Sequence, residues 1–504
     1  MALSWKQWTL LLYSIAYIFL FADQNLLSPN LSAAAKDFGF TDVERDQKLG
    51  GDIAVAYFLV GAPASFIIGC LADSYRIRRN ILFGIIVLLG EGCCMATYFT
   101  KTYSALYVTR ALTGFSVGGA LPILSSVLGD WYAPEEQSTV MGYVGLGTAI
   151  GIALGQVLSG MVGPHYGWRM PFLVIGLPAV VVGCLFLFTT IDPPRPSRHK
   201  IQDQNVKSQN QQDILVSIDH TNVYSDSDSP EKPDINTAQA VLASNSSNSQ
   251  LTQRSPPRDN NLFSTILTLI KTPSVLIALF QGVPGCFTWG MINTYLNDYL
   301  HSDIGMTVRE ATLTVMIFVI GVLVGIMGGA YGGRKLYAID VRFPSLLAGV
   351  MAMLGSVPLW MLINASPVRQ SDGFTIGTWE YIWISLTAFL SGFCSGFIGP
   401  IIKALLQQVT LSDERGQAFA MFNTFDDFGR GLGPYFVAQL IASIGSRRKA
   451  FNVAVLGWAL SGLLVFCSFC TIRRDQERLT RYSSDSNACH EKSVPVESDD
   501  HQIC

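Results

Sequence analysis

Charge is scarce in this chain. Asp, Glu, Lys and Arg make up 14% of its 504 residues against 49% hydrophobic residues, and the mean hydropathy is +0.34. A soluble enzyme of this length carries more charge, whereas a helix crossing ~30 Å of hydrocarbon needs about 20 apolar residues. The formal net charge of −3 is small and unpatterned, which points away from a nucleic-acid partner. Cysteine supplies no disulfide framework. Of ten cysteines, Cys70, Cys93, Cys94, Cys184, Cys286, Cys394, Cys467 and Cys470 lie in or beside apolar segments, where a thiol packs as a small hydrophobe. Cys467 and Cys470 form a CxxC without a second ligand pair, so no metal is expected. No GxxxxGK[ST] loop occurs, which disfavours ATP-driven work by this chain. No nucleophile-base or metal-ligand constellation points to an enzyme, and no cofactor is expected.

What the chain does have is a half-length repeat. Thr113-Gly-Phe-Ser-Val-Gly-Gly-Ala-Leu-Pro122 returns as Ser391-Gly-Phe-Cys-Ser-Gly-Phe-Ile-Gly-Pro400, and the same offset of 278 carries Glu136 onto Glu414, Gly151 onto Gly429 and Gly155 onto Gly433. Upstream, Asp37-Phe-Gly-Phe-Thr41 echoes Asp303-Ile-Gly-Met-Thr307. A repeat of this length in an apolar chain implies a transporter built from two bundles.

Apolar windows give twelve spans: 8–28, 50–72, 81–99, 104–129, 139–162, 169–190, 274–299, 309–332, 343–364, 379–410, 416–444 and 449–472. The expected fold class is therefore an all-α membrane protein, twelve transmembrane helices in two pseudo-symmetric six-helix bundles. Residues 1–191 and 263–472 form the bundles, 192–262 a disordered cytoplasmic linker rich in Ser, Asn, Gln and Asp, and 473–504 a disordered cytoplasmic tail. The first span lacks a small-x-small cleavage site, so it reads as a helix of the mature protein. Arg76, Arg78 and Arg79, then Arg334, Lys335 and Arg342, then Arg473 and Arg474 place their segments and both termini in the cytoplasm, while Arg447, Arg448 and Lys449 argue the other way. Asn30-Leu-Ser and Asn364-Ala-Ser match the glycosylation pattern close to span boundaries.

The loop motif Gly69-Cys-Leu-Ala-Asp73-Ser-Tyr-Arg76-Ile-Arg78-Arg79 has a counterpart in Gly325 to Arg334 and Lys335, with the basic pair nine and ten residues past the glycine in both. Together with Arg110-Ala-Leu-Thr-Gly114 and Trp168-Arg169-Met-Pro-Phe172, it resembles the motifs of major facilitator superfamily transporters. Asp23 with Asn25-Leu-Leu-Ser-Pro29 resembles the spinster-like branch. Gln24 and Gly119 depart from that branch's pattern, and Ser74 interrupts the loop motif. The resemblance implies alternating access in a monomer. Gly69 is expected to let two helices approach closely, and Asp73, Arg78 and Arg79 to gate the cytoplasmic side. The stripe Gly142, Gly145, Gly147, Gly151 and Gly155 in span five reads as helix packing.

Ionisable groups within spans are costly and mark sites. They are Asp23, Glu91, Arg110, Lys403, Asp426, Asp427 and Arg430. Asp23 and Arg110 reach similar depths and form a candidate pair, with Glu91 the competing partner. Arg430 stands one turn beyond Asp426, so those two read either as an internal salt bridge or, with Asp427 and Lys403, as a site for proton coupling or an anionic substrate. Span seven offers Gln281, Trp289, Asn293, Tyr295 and Asn297, a mixture of rings and amides suited to an amphipathic or polar organic solute. The expected function is secondary active transport of such a solute, with protons as a candidate coupling ion. The spinster resemblance implies lysolipids and sphingoid-type compounds as further candidates, and sugars or organic anions are the alternative substrates. A membrane sensor or scaffold that kept the fold is the alternative function. A plasma or endolysosomal membrane is the expected location.

Overall fold

The computed structural model describes residues 4–73, 78–132, 134–191, 262–366, 378–410 and 415–479. The side chains of Asp73 and Asp427 lie outside the described set, as do nearly all of the expected linker and the tail beyond 479. Pro193–Ser264 is a separate unit from the rest of the chain.

Among the described residues the chain is helical and carries no strand. That follows from composition, since a segment in hydrocarbon must satisfy its backbone internally. The long helices are α1 Trp5–Gln24, α2 Ile53–Asp73, α3 Arg79–Thr97, α4 Tyr103–Trp131, α5 Pro134–Tyr166 and α6 Met170–Thr189. The second half repeats them as α7 Pro273–Met291, α8 Val308–Tyr337, α9 Phe343–Ile363, α10 Thr378–Gly396, α11 Arg415–Ile444 and α12 Arg447–Cys467. Eleven of the described helical runs are long and apolar enough to cross a membrane. The twelfth, α11, has the length, 30 residues, but carries Arg415, Asp426, Asp427 and Arg430.

The packing repeats too. α2 lies on α4 as α8 lies on α10, α1 on α5 as α7 on α11, and α3 on α6 as α9 on α12. The shared glycines make these contacts possible. A side chain at Gly114 would strike the Tyr57 carbonyl of α2, and one at the repeat position Gly392 would strike the Phe318 carbonyl of α8. Gly155 meets the carbonyl of Ala22 and Gly151 that of Ile18 in the same way, so these two glycines of the stripe pack against α1, whereas a methyl at Gly145 would meet nothing within 4 Å. Gly69 behaves differently from expectation: a methyl there would lie 3.6 Å from Pro122, an ordinary contact. The close approach belongs to its counterpart Gly325, which abuts the Phe393 carbonyl.

Several boundaries differ from those read in the sequence. The first span ends at Gln24 and is followed by a 3-10 turn, Ser28–Asn30, and a short helix, Leu31–Phe38. Two π-helical segments, Arg45–Asp52 before α2 and Ile292–Leu296 after α7, rotate the residues beyond them relative to an α-helical register. The tenth span breaks after Gly396 and resumes as Ile398–Gln408. The expected tail is helical through 472–479, where buried Asp475 accepts the Ser274 N–H at the start of α7 (2.9 Å). Asn30 is no glycan acceptor in this fold, because its amide is buried and donates to Ser159 (2.9 Å).

Candidate functional site

A cavity lies between the halves, with about 930 Å³ of empty space including its open mouth. α1 supplies Phe21, Asp23 and Gln24, α2 supplies Tyr57 and Phe58, α4 supplies Arg110, and α11 supplies Arg430 and Pro434. The π-helical turn after α7 brings Asn293 and Thr294 to the same wall.

Arg110 is held from three neighbouring helices. Its Nη1 donates to Asp23 Oδ1 at 2.6 Å, its Nη2 to Thr97 Oγ1 of α3 at 2.8 Å, and its guanidinium lies 4.9 Å from the Phe172 ring centre on α6. Asp23 Oδ2 has no hydrogen-bond partner. Glu91 of α3 is fully buried within electrostatic reach of both Asp23 and Arg110, yet neither of its carboxyl oxygens has a hydrogen-bond partner. The pair is Asp23–Arg110, and Glu91 stands beside it.

On the opposite wall Arg430 lies 3.6 Å from Asp426. Fifteen residues into the 30-residue α11, it is still 43% exposed. Lys403 on Ile398–Gln408 is exposed and within electrostatic reach of both.

At the end away from both termini the cavity is shut by an ion network that we call the latch. Arg447, at the start of α12, binds Asp46 of the first half through two bonds, Nε to Oδ2 at 2.9 Å and Nη2 to Oδ1 at 2.7 Å. The same guanidinium reaches Asp298 and Asp303, each at 2.9 Å. From the first half Arg45 donates to Asp46 (3.0 Å), and Ser32 donates its N–H and hydroxyl to Asp298 (2.8 and 3.0 Å). Tyr295 closes the floor, donating to the carbonyls of Asp46 and Pro434 (3.0 and 2.9 Å). Burial pushes the Asp303 carboxyl up, against the pull of Arg447. Asp37–Arg169 (2.6 Å) is the first-half counterpart of Asp303–Arg447 and stays within its own half.

Of the span-seven residues expected around the cavity, only Asn293 lines it. Gln281 accepts from Ser461 of α12 (3.0 Å), Trp289 packs on Phe318 and Trp458, and Asn297 donates to Thr312 of α8 (3.1 Å). These three face their own bundle. Tyr295 belongs to the latch. In the loop motif Arg79 is buried and bound to Ser126 and Asp130 at the end of α4 (3.1 and 2.6 Å), whereas Arg78, Arg334 and Lys335 are exposed. The latch residues Arg45, Asp46, Asp298 and Asp303 were not singled out from the sequence. The available signal was charge beside span ends, with uncharged repeat positions for Arg45, Asp46 and Asp298 (Ala311, Thr312 and Ser32).

The fold and its buried polar sites define a membrane protein of twelve long helices, made of two related halves around a cavity. The profile of the Major Facilitator Superfamily matches residues 13–434, and the chain belongs to that family. Over 182 residues it is 27% identical to the multidrug transporter QDR2 of Candida glabrata, covering 36% of this chain and 30% of that protein. The chain spans about a third of the length of the first curated relatives it matches. A longer likeness is to the 4-hydroxybenzoate transporter PcaK of Pseudomonas aeruginosa, 22% identical with 91% of this chain and 92% of that protein covered. Among solved structures, a bacterial homologue of the human lysosomal transporter Spinster, inward-facing and unoccupied, has a TM-score of 0.68 at 15% identity, covering 94% of this chain and 99% of that one. The expected superfamily is thus borne out, and the spinster likeness extends to the fold.

Proposed function

We propose that this chain is a secondary active transporter working by alternating access, held here with the end away from its termini shut and the cavity reached from the other side. The observation that carries the reading is an asymmetry of exposure. Arg430, half-way along its helix, is 43% exposed, while the side chains of Arg45, Asp46, Asp298 and Arg447 at the latched end are at most 6% exposed. Solvent therefore enters from the side of the termini, which the basic loops assign to the cytoplasm.

The solute is a small organic or amphipathic molecule with an acidic group. Arg430 places a cation on the cavity wall that an acidic group can reach, while the wall of Phe21, Phe58 and Tyr57 offers apolar and ring surface. Organic anions and lysolipid- or sphingoid-type compounds fit that chemistry, and the spinster and PcaK likenesses support the same classes. Protons are the coupling ion in this reading, because Asp23–Arg110 joins a cavity-lining carboxylate to a buried cation. A sensor would need no solvent path to ionisable groups at mid-membrane. The test is counterflow in proteoliposomes with labelled organic acids, lysolipids and neutral sugars. Wild type should exchange an acidic solute, and Arg430→Ala should cut that exchange at least tenfold. Binding without flux would favour the sensor, and equal handling of acidic and neutral solutes by both proteins would refute the role of Arg430.

A further inference from the structure

Among the described residues, Glu91 differs from every other buried charge of the first half in having no hydrogen-bond or ion-pair partner. Arg110 holds Asp23, Arg79 holds Asp130, and Asp46 holds Arg45. Glu91 is 0% exposed, and both of its carboxyl oxygens lack a hydrogen bond. The fold gives it no scaffold role either. Gly90 abuts Ser116 as Gly355 abuts Cys394, and Ser116 and Cys394 are repeat equivalents, so Glu91 corresponds to Ser356 in the second half. Asp23 and Arg110 likewise correspond to Trp289 and Ala388. The second bundle is built without any of the three charges.

The groups facing Glu91 can be named helix by helix. α1 brings Asp23, α2 brings Tyr57, α4 brings Arg110 and α3 itself brings Cys94, while α6 has no charged residue. Asp23 and Arg110 neutralise each other, so an ionised Glu91 would be a net negative charge in a dry site with no hydrogen bond, a far costlier arrangement than the neutral acid. Asp23 lines the cavity, where water can solvate it if Arg110 leaves; Glu91 does not. Tyr57 connects the two environments, since it lines the cavity and its buried hydroxyl has no hydrogen-bond partner.

We propose that Glu91 is the residue that carries the coupling proton: neutral while Arg110 holds Asp23 and the latch is shut, and ionised when Arg110 swings across to it. The proton passes to cavity water by way of the Tyr57 hydroxyl, and Asp23 is then solvated in the cavity. This rests on the transport reading above and deepens it. Because the latched geometry gives an ionised Glu91 nothing to bind, deprotonation disfavours that state. Raising the pH therefore opens the latched end.

The experiment needs no substrate. Purified full-length protein is examined by infrared spectroscopy for the carbonyl band of a buried protonated carboxylic acid. The latched end is followed against pH with spin labels at cysteine-substituted Lys101 and Ser443, both exposed there, in a background with exposed Cys467 and Cys470 changed to Ser. Expected are the band and a pH-driven opening in wild type, with loss of the band and an at least tenfold smaller opening in Glu91→Gln. Glu91→Asp should keep both, and its titration shows that the site itself is intact. Asp303→Asn, which removes the titratable latch carboxylate, should also keep the opening. A band or a full pH response persisting in Glu91→Gln overturns the assignment to Glu91 while leaving proton coupling through another carboxylate. A wild type without any pH response overturns both the assignment and proton coupling.

Discussion

Replacing Asp46 by Asn tests the latch without dismantling either half. The side chain keeps its shape but loses the charge that receives two hydrogen bonds from Arg447 across the interface, at 2.9 and 2.7 Å. Removing one member of a buried ion pair costs about 3–5 kcal/mol when the other is left alone. Here Arg447 keeps Asp298 and Asp303, and Arg45 keeps Asp42, so the loss is closer to one strong charge-assisted contact, about 2–3 kcal/mol. That free energy belongs to the shut state alone, because the partners come from different halves. At 1.4 kcal/mol per factor of ten it shifts the shut-to-open ratio by roughly 30- to 150-fold. Double electron–electron resonance between labels at Lys101 and Ser443 should then show a second, longer distance. Asp37→Asn is the control, since it cuts the equivalent pair with Arg169 inside one half, where a half-exposed ion pair is worth about 0–1 kcal/mol, and should leave the distances unchanged. An unaltered distribution in Asp46→Asn, or an equal change in both variants, would refute the argument that this network holds the end shut.

Two further predictions follow from buried contacts. Arg110→Ala should abolish transport because Asp23, buried beside Glu91 while the latch is shut, then lacks a counter-charge in that state, a loss of about 3–5 kcal/mol for the latched form, and a second change of Asp23→Asn should restore stability measured by thermal unfolding in detergent. Recovery with Glu91→Gln in place of Asp23→Asn would show that Glu91 is the carboxylate Arg110 chiefly serves. Gly114→Ala should destabilise by about 1–3 kcal/mol, because the methyl meets the Tyr57 carbonyl, whereas Gly69→Ala, which meets only Pro122 at 3.6 Å, should unfold like wild type. Equal melting of those two variants would mean that α2 and α4 shift apart at little cost.

The helical architecture was readable in the sequence because each requirement of hydrocarbon is local: a run of apolar residues, a basic loop, a glycine where helices touch. The repeat made it more so. Gly114 and Gly392 share one task, and so do the helix caps Thr41 with Glu44 and Thr307 with Glu310, each pair joined by reciprocal bonds. The Asp23–Arg110 contact was visible for a similar reason, since two opposite charges at one depth leave few arrangements. The latch was not visible, because it draws on three segments, 32–46, 298–303 and 447, that are distant in sequence and short. Arg447 looked like a topology signal against the other basic loops, yet it is a buried counter-charge for three aspartates. The misplaced residues of the seventh span have another cause: Gln281, Trp289 and Asn297 find their partners inside their own bundle, on α12 and α8, and residue type alone does not say which side of a helix meets the cavity.

The contact between Ser32 and Asp298 has a meaning beyond its strength. The two positions are 266 residues apart, as are Ser28 and Thr294, which also touch, and that spacing is the one relating Asp37 to Asp303 and Thr41 to Thr307. Ser28 and Ser32 therefore each meet their own duplicate across the axis relating the halves. In a dimer of identical half-length chains such a position would have to face itself: two aspartates would repel, and two serines would leave no anion for Arg447. Joining the copies in one chain released that constraint. A donor could stay on one side while an acid arose on the other, and a symmetric seam could become a lock with a distinct bolt and socket.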